Sequence, residues 1–306
     1  MLADVDPRSR PSYCPRGSRP GGRGVALGEG ASLPEALCGD ARPGDAASVP
    51  RVKRRLVRVL QRLGLVGPAF RAYERTVALR GRAATPSDGL PLPPRRLMVR
   101  VAMTADAEWF LRSGRAGYDA IAAHVDLDGV GSVLDFGCGC GRVTRYFHDF
   151  EGEVAGSDLS GEAIEWCRDN LAFGTFVTNK LAPPFVFDDD SFDLVYALSV
   201  FTHLTADLQL AWRDELRRVL RPGGRLLITT HGTSYVPRLD STERASFEAG
   251  ELVVRWGDVV GSNLCSSYHP ERYLRDTFAE GFTFVELEPE GARGNPTQDL
   301  VLLQKR

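Results

Sequence analysis

Three glycines, Gly137, Gly139 and Gly141, alternate with Cys138 and Cys140 directly after the apolar run Val133–Phe136, whose only charge is Asp135. Glycine accepts positive φ and lets a ligand approach the backbone closely. A helix following such a loop presents unpaired N–H groups that suit an anion. The spacing narrows the choice of ligand. A dinucleotide loop asks for its third glycine one place later, where Arg142 stands. No Gly-Lys-Ser/Thr follows, so the loop is not of the nucleoside-triphosphate kind. Downstream, "GSDLS" puts Asp158 at the end of a second β-rich run. A carboxylate there accepts from both hydroxyls of a ribose. The combination asks for a ribose without requiring a pyrophosphate.

Histidine is the side chain best suited to accept a proton near neutrality. Of the five histidines, His124 and His148 lie on predicted helices away from the strand ends and read as structural. His203 follows the fourth β-rich run, His231 ends the fifth, and His269 precedes a predicted helix. These are the candidate bases. Tyr268, Arg255 and Trp256 lie in or beside a long excursion, about 232–267, and are candidates for contact with a substrate. Asp188, Asp189, Asp190 and Asp193 read as a solvated turn, and no metal is expected. The six cysteines form neither a CxxC pair nor a zinc spacing and read as reduced, packing thiols.

The elements that must position these groups alternate. β-rich runs fall at Ser132–Phe136, Glu153–Ser157, Thr175–Thr178, Phe192–Leu198 and Arg225–His231, and helical stretches at Arg142–Phe150, Ser160–Leu171 and Ala206–Leu220. Two further strands are expected at Phe282–Glu288 and Asp299–Gln304. Alternation with nearly continuous apolar runs predicts a parallel sheet covered by helices on both faces. Residues 1–50 are rich in Gly, Pro, Arg and Ser and read as disordered. Residues 51–128 read as a helical extension: a basic amphipathic helix from Arg51, a stretch from Ala69 to Arg80, an extended "LPLPP" spacer, and helices near Ala105–Ser113 and Arg115–His124. Residues 129–306 form the main domain. The excursion 232–267 and the helices before Gly129 are expected to cap the site.

In order, "VLDFGCGCGR", "GSDLS", "FDLVYALSVFTHL" and "LRRVLRPGGRLLITTHG" resemble the successive motifs of class I S-adenosylmethionine-dependent methyltransferases. They are most similar to the small-molecule branch that includes ubiquinone and sugar methyltransferases. The resemblance covers about residues 129–306 and implies a Rossmann-like α/β sheet of seven strands with S-adenosyl-L-methionine as cofactor. It implies that Asp135 with Gly137, Gly139 and Gly141 holds the methionine part, Asp158 the ribose, and Leu159 the adenine face. Asn179 stands nearest to the acid that holds the adenine amine in many relatives. Phe201 and His203 would lie near the sulfonium. The implied activity is methyl transfer to a small molecule, with a hydroxyl of a sugar or natural product favoured over nitrogen or a carboxylate.

The net charge of −2 over 306 residues gives no global field for nucleic acid or an anionic membrane. No apolar run reaches the ~18 residues of a membrane span. A cytoplasmic protein is expected, with nucleic acid disfavoured as a partner. The rival readings are RNA methylation guided by the basic helix, N-methylation, a nicotinamide oxidoreductase, and a non-catalytic module that keeps the fold.

Overall fold

The computed structural model describes residues 72, 75–79, 83–262, 264–294 and 297–306. The segment read as disordered and the basic helix from Arg51 lie outside the described residues. Of the stretch from Ala69 to Arg80, only residues 72 and 75–79 are described.

The chain then forms α1 (Arg95–Ala102), α2 (Ala107–His124), β1 (Ser132–Phe136), β2 (Glu153–Asp158), α3 (Gly161–Asn170) and β3 (Thr175–Thr178). After these come β4 (Phe192–Ala197), α4 (Ala206–Val219), β5 (Leu220–Thr230), α5 (Ser241–Glu248), β6 (Val253–Arg255) and β7 (Ser266–Tyr268). The last elements are a short α6 (Glu271–Tyr273) that continues as a π turn, β8 (Phe282–Ala292) and β9 (Gln298–Lys305). Seven strands make one sheet in the order β3-β2-β1-β4-β5-β9-β8. β1 to β5 pair in parallel, and β9 runs antiparallel to both β5 and β8. This is the α/β, Rossmann-like sheet the sequence predicts. The order reverses between β1 and β4, so their exits open side by side, where ligands of such sheets bind.

Side-chain alternation divides the core. Leu134, Phe136, Val195, Leu226 and Ile228 face Trp212, Phe201 and Phe278. Val133, Leu194, Tyr196 and Leu227 face Ile121, Val125 and Phe147. Burying a large apolar side chain contributes about 1.5–3 kcal/mol, so these two layers hold the strand exits in place. Asp106 caps α2 by accepting from Trp109 N at 3.0 Å, and Ser160 caps α3.

Three local readings need correction. The helix expected at Arg142–Phe150 is only a 3-10 turn, Thr144–Phe147. Arg145 is drawn away there: its guanidinium forks onto Asp88 at 2.6 and 2.8 Å and donates to Leu90 O, with Arg145 only 1% exposed. The two helices expected around Gly114 are one, α2. Gly114 is tolerated mid-helix because the backbone carbonyl of Arg142 occupies the space a Cβ would take. A helix not expected from the sequence lies at Arg95–Ala102, where α1 packs Leu97 and Met98 against Cys140 and Ala163.

Arg145→Met would strand the Asp88 carboxylate in the interior. Breaking a buried pair costs about 3–5 kcal/mol, which urea unfolding should register as an earlier midpoint. A midpoint equal to the parent's would refute the clamp.

Candidate functional site

The glycine loop leaves β1 with Gly137, Gly139 and Gly141 at φ +83°, +55° and +73°. The amides of Gly137 and Cys138 both donate to Ser157 O, at 2.8 and 2.9 Å, which ties the loop to the end of β2. A Cβ on Gly137 would run into Val200, and one on Gly139 would lie 2.6 Å from a methyl of Val101 in α1. These two glycines therefore keep a narrow cradle between the β4 exit and α1. Gly141 faces Leu171 and Cys167 instead, so its role is packing.

Asp158 closes the far side. Its Oδ2 accepts from Gly139 N at 2.9 Å and its Oδ1 from Ser160 N at 2.7 Å. Each oxygen keeps a further lone pair, enough for the two hydroxyls of a ribose. Burial pushes this carboxyl up, against the pull of the Ser160 and Gly139 amides and of Arg100. Beyond it, Leu159 and Leu181 stay exposed at 42% and 38%, both beside the backbone of Gly261. An apolar slot of this kind suits a purine face. Asn179 donates through Nδ2 to Lys180 O at 2.8 Å, while its Oδ1 is buried without a partner. An orphaned acceptor beside a planar slot fits the exocyclic amine of adenine. The residues present therefore fit S-adenosylmethionine at its ribose and its base.

Asp135 is placed differently from its expected contact with the methionine part. Its Oδ2 accepts from Thr144 Oγ1 at 2.5 Å and Tyr196 OH at 2.8 Å, and the residue is 4% exposed. It braces the loop against β4 from inside. Burial raises it to about 6, partly offset by those two hydroxyls and by Arg142. Phe201 also departs from expectation. Its ring is wholly buried, edge-on to Phe278 at 5.0 Å, and presents no surface to a cofactor.

The three candidate bases separate. His203 donates from Nδ1 to Cys265 O at 2.7 Å, and His231 from Nδ1 to Ser267 O at 3.1 Å, so each keeps an Nε2 lone pair. Burial lowers both pKa values, that of His231 well below 6.5 with the neighbouring His203 and His269 adding to the effect. His231 also stacks on Tyr235 with ring centroids 4.1 Å apart. His269 is 1% exposed, and its Nε2 meets Gln209 Oε1 at 3.2 Å. Burial takes its pKa to about 3, and its position in the core corrects its assignment as a base. In the cap, Arg255 is committed: it pairs twice with Glu243, at 2.9 and 2.5 Å, and donates to Tyr268 OH at 3.0 Å. Arg255 and the 4%-exposed Tyr268 therefore hold the cap together instead of reading a substrate. Trp256 is half-buried beside them in a left-handed turn, φ +55°.

The structure thus gathers Gly137, Gly139, Asp158, Leu159 and Asn179 around one cradle. It adds Val101, Leu181 and Val200, which the sequence reading passes over because nothing in an isolated valine or leucine marks it. The described cysteines are all buried and free. Asp189 and Asp190 pair with Arg218 and Lys305 at 2.6 and 2.7 Å.

The methyltransferase domain family matches residues 134–228, from β1 through most of β5. A malonyl-[acyl-carrier protein] O-methyltransferase of Enterobacter lignolyticus is 33% identical over 139 residues, covering 43% of this chain and 51% of the relative. A probable tRNA methyltransferase 9B of Mus musculus is 30% identical over 138 residues, covering 45% of this chain and 28% of the relative. Methyltransferase GfsG of Streptomyces halstedii is 28% identical over 196 residues, covering 62% and 66%. The chain spans about half the length of the first of these. The resemblance stated from the sequence and the cofactor it implies are both borne out.

Two measurements test this geometry. Asp158→Ala removes acceptors for two hydroxyls, and the calorimetric Kd for S-adenosylhomocysteine should rise about 100-fold; an unchanged Kd contradicts the ribose assignment. The second is stability against pH. The three histidines have lowered folded pKa values, so below about 6.5 the unfolded chain takes up protons the folded chain refuses. Their contribution is complete above pH 6.5 and lost below it. The raised carboxyls oppose this, Asp135 between about 6 and 3.8 with Asp158 and Asp299 acting in the same direction, while the lowered carboxyls of Asp88, Asp193, Glu215 and Glu243 add to the loss at acid pH. The thermal midpoint should fall between pH 7.5 and 5; a flat or rising midpoint rules the assignment out.

Proposed function

We propose that this chain, whose residues 134–228 are a class I S-adenosylmethionine-dependent methyltransferase domain, methylates a hydroxyl of a small molecule such as a sugar or a natural product. When bound, the cofactor supplies an electrophilic methyl on a good leaving group, so alignment of the acceptor supplies most of the acceleration. A hydroxyl acceptor also needs somewhere to send its proton. The observation that carries the hydroxyl reading is the state of His231. Donation from Nδ1 to Ser267 O fixes the tautomer with a lone pair on Nε2, and burial keeps the ring neutral. His231 is read as the base, with His203, in the same tautomer, as the second group of the acceptor site.

Asp158 and Asn179 would hold the ribose and the adenine amine, Leu159 and Leu181 the purine faces, and the Gly137–Gly139 backbone the methionine part. The cap made by α5, β6 and β7 covers the acceptor side, with the Arg255–Glu243 pair keeping its shape. Among the described residues no helix is long and apolar enough to cross a membrane, which accords with an enzyme of the cytoplasm.

Methyl-labelled S-adenosylmethionine, offered with hydroxylated small molecules, amines and tRNA in parallel, should label the hydroxyl acceptors. Label only on amines or on tRNA replaces this reading. His231→Gln should lower kcat by about 100-fold, the scale of a lost general base, with the S-adenosylhomocysteine Kd unchanged. Because the ring's pKa lies well below 6.5, the parent should lose no kcat to protonation of this group between pH 8 and 6.5.

A further inference from the structure

On the α2 side of the sheet, a cleft opens beside the ends of β4 and β5 and the start of β9. It is small and open to solvent, a cavity of about 20 Å³ lined in part by Arg142, Ser199, Thr229, Arg293 and Gln298. Gln298 is 2% exposed and rigidly set. Its Oε1 accepts from Ser199 Oγ at 2.8 Å and from Thr229 Oγ1 at 2.6 Å. Thr229 Oγ1 in turn accepts from Ser199 N at 2.7 Å, which holds Ser199 in a left-handed conformation, φ +62°. With the carbonyl end of the amide fully engaged, its Nε2 is left as a buried donor without a partner.

Arg142 and Arg293 line the same cleft. Among the described residues neither makes a hydrogen bond or an ion pair. Arg142 is half-buried, and burial works against its charge while Asp135 favours it. A partly buried guanidinium without a hydrogen-bonded partner is costly unless something anionic completes it. Arg293 is exposed at the rim. The cleft therefore presents one orphaned amide donor at its back and two guanidinium groups along its wall.

We propose that this cleft is a carboxylate subsite for the acceptor, so that the small molecule receiving the methyl group carries a carboxylate as well as the methylated atom. The proposal rests on the methyltransferase reading and adds the class of acceptor. Arg142 takes the carboxylate as its main counter-charge, Gln298 Nε2 donates to one oxygen, and Arg293 closes the rim. A neutral sugar would satisfy the amide and leave both guanidinium groups without a hydrogen-bonded anion. A monoanion is preferred over a phosphate dianion, because Asp135 already places a carboxyl beside Arg142.

The test is calorimetry on the full chain saturated with S-adenosylhomocysteine, with benzoate, benzamide and phenyl phosphate as probes. Benzoate should bind at least about tenfold more tightly than benzamide, the scale of hydrogen bonds to a charged group, and more tightly than phenyl phosphate. Arg293→Ala, a surface change that keeps the fold, should weaken benzoate severalfold. Gln298→Leu should do so about tenfold, and both should leave the S-adenosylhomocysteine Kd unchanged. Equal constants for benzoate and benzamide, or no binding of either, overturn the proposal, and tighter phenyl phosphate overturns the preference for a carboxylate. Benzoate that displaces S-adenosylhomocysteine would assign the cleft to the cofactor and also overturn it. If S-adenosylhomocysteine itself fails to bind the parent, the cofactor reading falls separately, and the benzoate comparison is then read on the chain alone.

Discussion

The amides of Gly139 and Ser160 converge on one carboxylate, Asp158, and the arrangement of the site follows from that convergence. One amide belongs to the exit of β1 and the other to the start of α3. A single side chain therefore sets the distance between the two loops that the proposed site places around a nucleoside. Two backbone donors and Arg100 offset part of the cost of its burial. Asp135 performs the matching task beneath the loop, drawing Thr144 and Tyr196 to one oxygen and fixing β1 against β4. One acid works above the loop and one below it, and only the upper one is placed to meet a ligand.

The roof of the cradle is built as deliberately as its floor. Val101 reaches Gly139 from α1, and α1 is held to α3 by Arg96 and Arg100 on Glu162, the second pair at 2.9 Å. Both arginines remain partly exposed, so these pairs orient the helix more than they stabilise it. The apolar contacts of Leu97 and Met98 under α1 supply the holding force. On the acceptor side the division of labour is similar. Arg255, Glu243 and Tyr268 spend their polar groups on one another, which leaves the imidazoles of His203 and His231 as the basic groups near the ends of β4 and β5.

Much of this was legible in the sequence. Each sheet strand shows as a short apolar, β-branched run, and the observed boundaries of β1 and β3 coincide with the runs at Ser132–Phe136 and Thr175–Thr178. The glycine spacing and Asp158 could be singled out from the sequence because their chemistry is local to the backbone. The errors have a common origin in contacts distant along the chain. Arg142–Phe150 has helical spacing, but Arg145 answers to Asp88, 57 residues earlier. Gly114 looks like a break, but it makes room for the carbonyl of Arg142. Phe201 and His269 sit at positions that suit a site, and only packing shows that both point inward. Arg142 carried a signal in plain view, a charge where a glycine would fall, and its surroundings became visible only with β5 and β9 in place.

The excursion after β5 leaves and returns at one rung. His269 N donates to His231 O at 2.8 Å, so residues 232–268 form a loop with a pinched neck whose ends already lie together. Closing such a loop depends only logarithmically on its length, about 0.6 kcal/mol for each doubling. Segments of other sizes can therefore be grafted at this neck with little strain on the sheet. The neck is a natural seam at which this excursion can be exchanged while the sheet and the glycine loop stay as they are.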